Sequence, residues 1–396
     1  QAYRDANAAV ILENRQSIIG RLGENWKRDV IGYAAEASAL KANLRSGKAE
    51  MAPLFSAAPK LMASLAPVVL MSPYEVATSL PASVKFDAVV VLDAAGTTLA
   101  ENLSAILRAK QLIAFGDNAV AHPTGFELEA RPVRTELREA RQSIFTTVAN
   151  LFGQEVLRRS YRPSGQILGA FINREFYQNR IVFEPTADDY FHNSHIGLEI
   201  IHDGNAASTT PGSNESPDSE VHRAIEIIFN HALWHPEDSL LVATASQVHA
   251  DRIRAGVAQG LKQRTHLLEF FEGHGRERFE VSTLSDLTHR VADHVIFSVG
   301  FGKTPLGGTL SNLGDLSTKD GRRGLANLLV SARKQITVVS CFSSTDLSTD
   351  DDNGIGYLRD LLMGGIHVEE SSRDAENDAM LADLAIRLRK LGVTVN

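Results

Sequence analysis

The sequence predicts an α/β protein with parallel sheets, and three observations carry that expectation. Two short apolar runs, Ala88–Leu92 and Leu112–Phe115, flank a helical stretch near Leu99–Ala109. Runs that short, bounded by turn residues, are the pattern of strands buried on both faces of a parallel sheet. Strand and helix patterns then alternate through Leu240–Ala243, Gln247–Leu261, Val295–Val299 and Ile336–Cys341, as crossover connections require. Ligands of such sheets bind beyond the carboxyl ends of the strands. In the first pair those ends carry Asp93 and Asp117.

The totals set limits. At 396 residues the chain is long enough for two or three domains. Its 43% hydrophobic and 22% charged content is that of an ordinary soluble protein. No run approaches the ~20 apolar residues a membrane helix needs, so no membrane partner is expected. The single cysteine, Cys341, excludes an internal disulfide framework and fits a reducing, cytoplasmic setting. A net charge of −8 argues against a surface coated in basic residues, while leaving room for a local basic groove. No signal-peptide pattern opens the chain. It begins on Gln1 and stops on an apolar run, Val393-Thr394-Val395-Asn396, and a GxxxxGK[ST] phosphate loop occurs nowhere in it. The expectation is a piece of a larger polypeptide, or a chain that has lost its first strands.

Taken in order, residues 1 to 64 read as helical, with Ile11, Ile18, Leu22, Trp26 and Val30 forming one apolar face. Gly20, Gly23 and Gly32 weaken that pattern. A partial sheet domain spans 65–135, and a charged stretch with a helix through Phe152 bridges 136–152 to a second sheet domain at 153–347. Residues 204–218 have little to bury and read as a mobile loop. Glu220–His235 reads as a helix with Val221, Ile225, Ile228 and Leu233 inward. From 348 a polar linker leads into the start of a C-terminal extension, with a helix over Asp378–Leu391.

Five segments resemble superfamily 1 helicases, in the branch of the RNA-surveillance helicases and their bacterial relatives, over roughly residues 50–345. Pro67–Pro73 is similar to a segment containing L-M-S-P. Phe86-Asp87, Val89, Ala94, Arg108-Ala109-Lys110-Gln111, Gly116-Asp117 and Pro123-Thr124 fall without a gap on F-D-x-V-I-x-D-E-A-S-Q and R-A-K-Q…G-D-x-x-Q-L-P-P-T. Leu157–Arg162 and Phe171–Tyr177 are similar to H-Y-R-S…L-I-x-F-S-N-x-x-F-Y; Phe279–Gly302 and Asn312–Ser340 resemble the segments that follow. The resemblance implies two RecA-like domains of P-loop-NTPase type, the first incomplete, with a helical insertion before them. It implies ATP and Mg²⁺ as cofactors and DNA or RNA as partner. By the same resemblance Asp93 stands at the catalytic position, Asp117, Arg162 and Arg333 face nucleotide, and Ser72, Pro73, Arg158 and Arg159 lie along nucleic acid. In some bacterial relatives a very-short-patch-repair-type nuclease follows, and its carboxylates would lie beyond Asn396.

The departures fall on the chemistry. Leu92 stands where a magnesium-holding aspartate belongs, Asp93 for a glutamate, Val120 for a glutamine, His289, Arg290 and Ala292 for Gln, Gly and Glu, and Ser331 for an arginine. Mg²⁺ takes oxygen ligands, which Leu92 lacks. Removing one phosphate-facing arginine can cost ~10³ or more in rate. The expectation is a helicase-like scaffold that binds nucleic acid or a partner protein, with ATP hydrolysis weak or lost. Two rival expectations stand beside it: a fragment of an active ATP-dependent helicase or translocase joined to a nuclease, and a protein-interaction scaffold. For Asp93 a capping role at the strand end competes with catalysis, and for Asp117 closure of the turn after Gly116 competes with nucleotide contact. His231 and His235 share a helix face, but Ala-Leu-Trp separates them, without the glutamate of a zinc-protease motif; solvated or capping histidines are expected, and no metal. Arg158, Arg159, Arg162, Lys262, Arg264, Arg276 and Arg278 are candidate phosphate contacts, against the plainer reading of solvated surface charge. Tyr161 and Phe176 are expected as core aromatics.

Overall fold

A computed structural model describes residues 2–47, 50–123, 142–160, 165–183, 195–201, 214–272, 279–288, 290–304, 308, 312–318, 320–347 and 353–371. The chain divides into two units, residues 1–154 and 155–396.

In the first unit the helical start is α1 (Ala2–Gly32), α2 (Ala34–Arg45), α3 (Met51–Ala57) and α4 (Pro59–Leu65). Leu40, Leu54, Phe55, Leu61 and Met62 make their core. Of the apolar face on α1, Val30 packs on that core, while Ile11 and Ile18 are exposed. A short helix, α5 (Pro73–Ser79), leads into β1 (Phe86–Val91), α6 (Leu99–Ile106), β2 (Ala109–Ala114) and, later, α7 (Ile144–Phe152). Helix α6 starts on a capping box: Glu101 N–H donates to Thr98 Oγ1 at 3.3 Å, and Thr98 N–H donates to Glu101 Oε2 at 2.6 Å. It stops before the expected Ala109 because that residue pairs with Phe86 in the sheet. Buried Arg108 ties this corner together, donating to Ser104 O at 2.7 Å and Leu80 O at 2.9 Å.

Strands β1 and β2 are parallel, with Val90 beside Ile113. Val91, Leu112 and Ala114 turn to a core with Ile144, Ile106 and Phe145. The opposite face corrects the expectation of strands buried on both sides. Val90 is 48% exposed, Leu92 68%, Ile113 37% and Phe115 47%. The physical reason is the layer count: among the described residues this sheet has two strands, and helices cover Val91, Leu112 and Ala114 on one face but on the other reach Phe86 at the start of β1.

The second unit opens with a short parallel pair, β3 (Arg159–Ser160) and β4 (Val182–Phe183), around α8 (Gln166–Tyr177). Then come β5 (Ile196–Ile200), α9 (Asp218–Trp234), β6 (Leu240–Thr244), α10 (Gln247–Leu261), α11 (Leu268–Glu272), β7 (Glu280–Thr283), β8 (Ala292–Ser298), α12 (Gly321–Ser331), β9 (Ala332–Ser340) and α13 (Gly354–Ser371). The five strands β5 to β9 form one sheet, all parallel, in the order β5-β9-β8-β6-β7. Helices α9 and α10 bury Ala224, Ile228, Ile253 and Val257 against Leu240, Val242 and Ile296 on one face. Helix α12 lies against β8 and β9 and packs on α8 and α13. Every residue of β6 is buried. The parallel α/β architecture expected from the sequence is therefore what the chain adopts.

Strands β8 and β9 start earlier than the apolar runs indicated, because Ala292 pairs with Ala332 at their polar beginnings. Leu233, expected inward, is 50% exposed; Phe229 and Ala232 fill the space under α9. Phe176 is buried and stacks on Tyr357 at 5.3 Å. Tyr161, the 348–352 linker and the helix expected at Asp378–Leu391 lie outside the described residues.

Candidate functional site

At the carboxyl ends of β1 and β2 the chain turns sharply. Ala94 N–H donates to Phe115 O and Phe115 N–H to Val91 O, both at 2.8 Å, so the two ends stay side by side. Gly116 is needed there, since a Cβ would lie 2.8 Å from both Ala95 N and the Phe145 ring. Asp93 is half-buried and its carboxylate folds over Gly96, while its carbonyl accepts from Gly96 N–H at 3.1 Å. Asp117 Oδ1 accepts from Ala119 N–H at 2.9 Å, and its carbonyl accepts from Val120 and Ala121. Both carboxylates therefore take part in turns. Between them Leu92 projects an apolar side chain into solvent.

The carboxyl edge of the five-stranded sheet has more chemistry. Strand β6 runs on through α10 to β7 on one side, and β8 runs on through α12 to β9 on the other. Their shared edge is thus a topological switch point, where doubly wound sheets open a crevice for ligands. Strand β6 ends in Thr244-Ala245-Ser246 and β8 in Ser298-Val299-Gly300, polar residues that stop the apolar runs. Ser246 caps α10 by accepting from His249 N–H at 3.2 Å, which sets His249 over the edge. Gly300 has φ +84°, and a Cβ on it would sit 2.9 Å from that of His249. From the first turn of α9, Glu220 reaches the same place.

These groups join in one hydrogen-bonded chain. Glu220 Oε1 accepts from Ser298 Oγ–H at 2.9 Å and Gly300 N–H at 2.8 Å. Ser298 Oγ lies 2.8 Å from His249 Nε2, and His249 Nδ1 lies 2.9 Å from Ser216 Oγ. Arg252 donates to Ser216 Oγ at 3.1 Å and also pairs with Asp218. A hydroxyl has one proton to give. With Ser298 donating to the carboxyl, His249 Nε2–H must donate to Ser298, so Nδ1 accepts from Ser216. The imidazole is neutral, protonated on Nε2. Glu220 and His249 have no solvent exposure and Ser216 has 1%. Burial pushes the Glu220 carboxyl up to about 7 against the pull of its donors, and burial together with Arg252 pushes His249 down to about 3. Cys341 Sγ lies 3.6 Å from Glu220 Oε2, and burial and the neighbouring carboxyl hold its thiol protonated, above the usual range.

The remaining sequence candidates are scattered. Ser72 is the exposed N-cap of α5 and Pro73 its first residue, with Glu75 reaching back to Ser72 N–H at 3.4 Å; a helix start accounts for both. Arg158 and Arg159 are exposed beside β4. Arg333 sits at the amino end of β9, 3.8 Å from Asp293, at the opposite end of the sheet from the switch point. Ser331 is buried with its hydroxyl donating to Leu328 O at 2.7 Å. Arg162, His289, Arg276 and Arg278 lie outside the described residues.

His231 is buried and its Nε2–H donates to Asp238 O at 3.1 Å. It clusters with His235 and His294, ring centroids 4.7–5.5 Å apart. Among the described residues no group of His, Cys, Asp or Glu is arranged to hold a metal ion, and no helix is long and apolar enough to cross a membrane. Sequence reasoning missed Ser216, Glu220, His249 and Ser298 as a group. The available signal was the polar ending of two otherwise apolar strands.

No family model matches the chain, and no curated protein matches it. Among solved structures it is similar to the C-terminal domain of a possible DNA helicase from Lactobacillus plantarum, at 13% identity and a TM-score of 0.26, over 46% of this chain and 88% of that one. At that score neither fold detail nor activity passes from one to the other.

Proposed function

We propose that this chain is the retained scaffold of a superfamily 1 helicase-like protein, binding nucleic acid or a partner protein, with ATP hydrolysis weak or lost. Leu92 carries the reading: it is 68% exposed at the carboxyl end of β1, where the resemblance implies the oxygen ligand that Mg²⁺ requires. Ser331 supports it, since its hydroxyl is spent on its own helix. In this reading residues 1–64 are the helical insertion, 65–135 and 153–347 are RecA-like domains joined by 136–152, and 348–396 begin an extension. Asp93, Asp117 and Arg162 are its nucleotide-side residues, Arg333 joins them by the resemblance alone, since it lies at the amino end of β9, and Ser72, Pro73, Arg158 and Arg159 are its nucleic-acid side. The open apolar face of β1 and β2 favours the partner-protein form.

The test is ATP turnover by the whole chain with single-stranded DNA, duplex DNA or RNA present. No stimulated turnover is expected. Stimulated turnover that disappears in Asp93→Ala would overturn the reading in favour of a working motor. Binding is read separately by anisotropy across salt, where Arg158→Ala and Arg159→Ala each lower the salt slope by about 1 if they touch phosphates.

A further inference from the structure

Glu220 and His249 are sealed from solvent, yet they are linked through a single hydroxyl, Ser298 Oγ, at 2.9 Å and 2.8 Å. The direct separation between His249 Nε2 and Glu220 Oε1 is 3.8 Å. Oε1 takes both strong donors, and the Cys341 thiol lies 3.6 Å from Oε2. A proton on Oε2 leaves Oε1 free to accept from Ser298 and Gly300, and the thiol sulfur is a weak acceptor for it. The charged form would leave a buried carboxylate with no cation in contact.

We propose that Glu220 and His249 share one proton, held on the carboxyl while the carboxyl edge is closed and passed to the imidazole when that edge opens to water. Opening breaks the Oε2–H bond; Nε2 already carries a proton, so the new N–H⁺ bond forms on Nδ1, which releases the Ser216 hydroxyl, and the entering water carries the proton between them, so the proton count does not change. Among the described residues the charged and titratable groups facing the pair are Arg252 on α10, Asp218 at the start of α9, Glu215 through Ser246, Cys341 after β9, and Lys303, whose charge reaches Cys341, with the Ser216 hydroxyl between Arg252 and His249. Arg252 is held by Ser216 and Asp218 and supplies the positive field that opposes a charged ring in the closed form.

The signs give a sharp expectation. Against 4.5 for an open carboxyl, the closed Glu220 at about 7 makes opening easier as pH rises through that span. Against 6.5 for an open imidazole, the closed His249 at about 3 makes opening easier as pH falls through that span. Between 4.5 and 6.5 the two dependences cancel.

Cys341, the single cysteine, is buried beside Glu220 and reports opening directly. Its labelling rate with a thiol reagent, divided by that of a short cysteine peptide at the same pH, measures the open fraction. In the unaltered chain this ratio is expected to be flat between 4.5 and 6.5. In Glu220→Gln it should fall about tenfold per pH unit as pH rises, and in His249→Gln rise about tenfold per unit. Infrared difference spectra supply a second measurement, with a protonated carboxyl band near neutral pH that Glu220→Gln removes. Either variant staying as flat as the unaltered chain, or the absence of that band, overturns the proposal. If one variant does not fold, the other and the band decide it.

Discussion

Strand β1 and strand β6 are built from similar apolar residues and end at comparable carboxyl edges, but they live in different surroundings. All of Leu240–Thr244 is buried, between β8 and β7 and under helices. In β1 Asp87, Ala88 and Val90 are exposed, Val90 at 48%, and Leu92 just beyond its end is 68% exposed. An apolar run thus reports what a strand can bury, and the number of neighbouring strands and layers decides what it does bury. The contrast extends to chemistry. Polar groups at the end of the five-stranded sheet are enclosed and shifted, whereas Asp93 and Asp117 at the end of the two-stranded sheet close turns at a partly wet surface.

The contrast can be sharpened by substitution. Phe297, fully buried on β8, should lose ~3–5 kcal/mol as Phe297→Ala, measured by denaturant unfolding. A loss near zero would mean that the five-stranded sheet is not the stable core. Gly300→Ala places a side chain at φ +84° and against His249, so a loss of about 1–3 kcal/mol is expected, together with faster labelling of Cys341. Smallest is the double change Val90→Thr and Ile113→Thr on the open face, expected to alter stability within about ±0.5 kcal/mol. A loss above about 2 kcal/mol would show that this face is covered in solution, and would bring β1 into line with β6.

Much of the fold was legible because the signals were local. Helix α10 falls on Gln247–Leu261 as its pattern predicts, with Ser246 as cap. In the second unit β6, β8 and β9 were found by their apolar centres, while β3, β4, β5 and β7 were not read as strands; the polar starts at Ala292 and Ala332 were missed because pairing rather than composition extends them. The open face of β1 and β2 was illegible, since one strand's sequence does not state how many partners it has. The network at the switch point was hidden for the same kind of reason. Ser216, Glu220, His249 and Ser298 are far apart in sequence, and each alone reads as a cap or a surface residue. Only the register of β6 against β8 and the first turn of α9 bring them together.

The hydrogen-bonded chain from Arg252 to Glu220 has a direction. Ser216, His249 and Ser298 each donate toward the carboxyl and accept from the cation side, so their dipoles add along one line. Such dipoles polarise one another. No member can turn round alone without leaving two donors or two acceptors face to face. The segment before α9, the first turn of α10 and the end of β8 are consequently bound into one element, and since an arginine can only donate, Arg252 fixes the order of the whole chain.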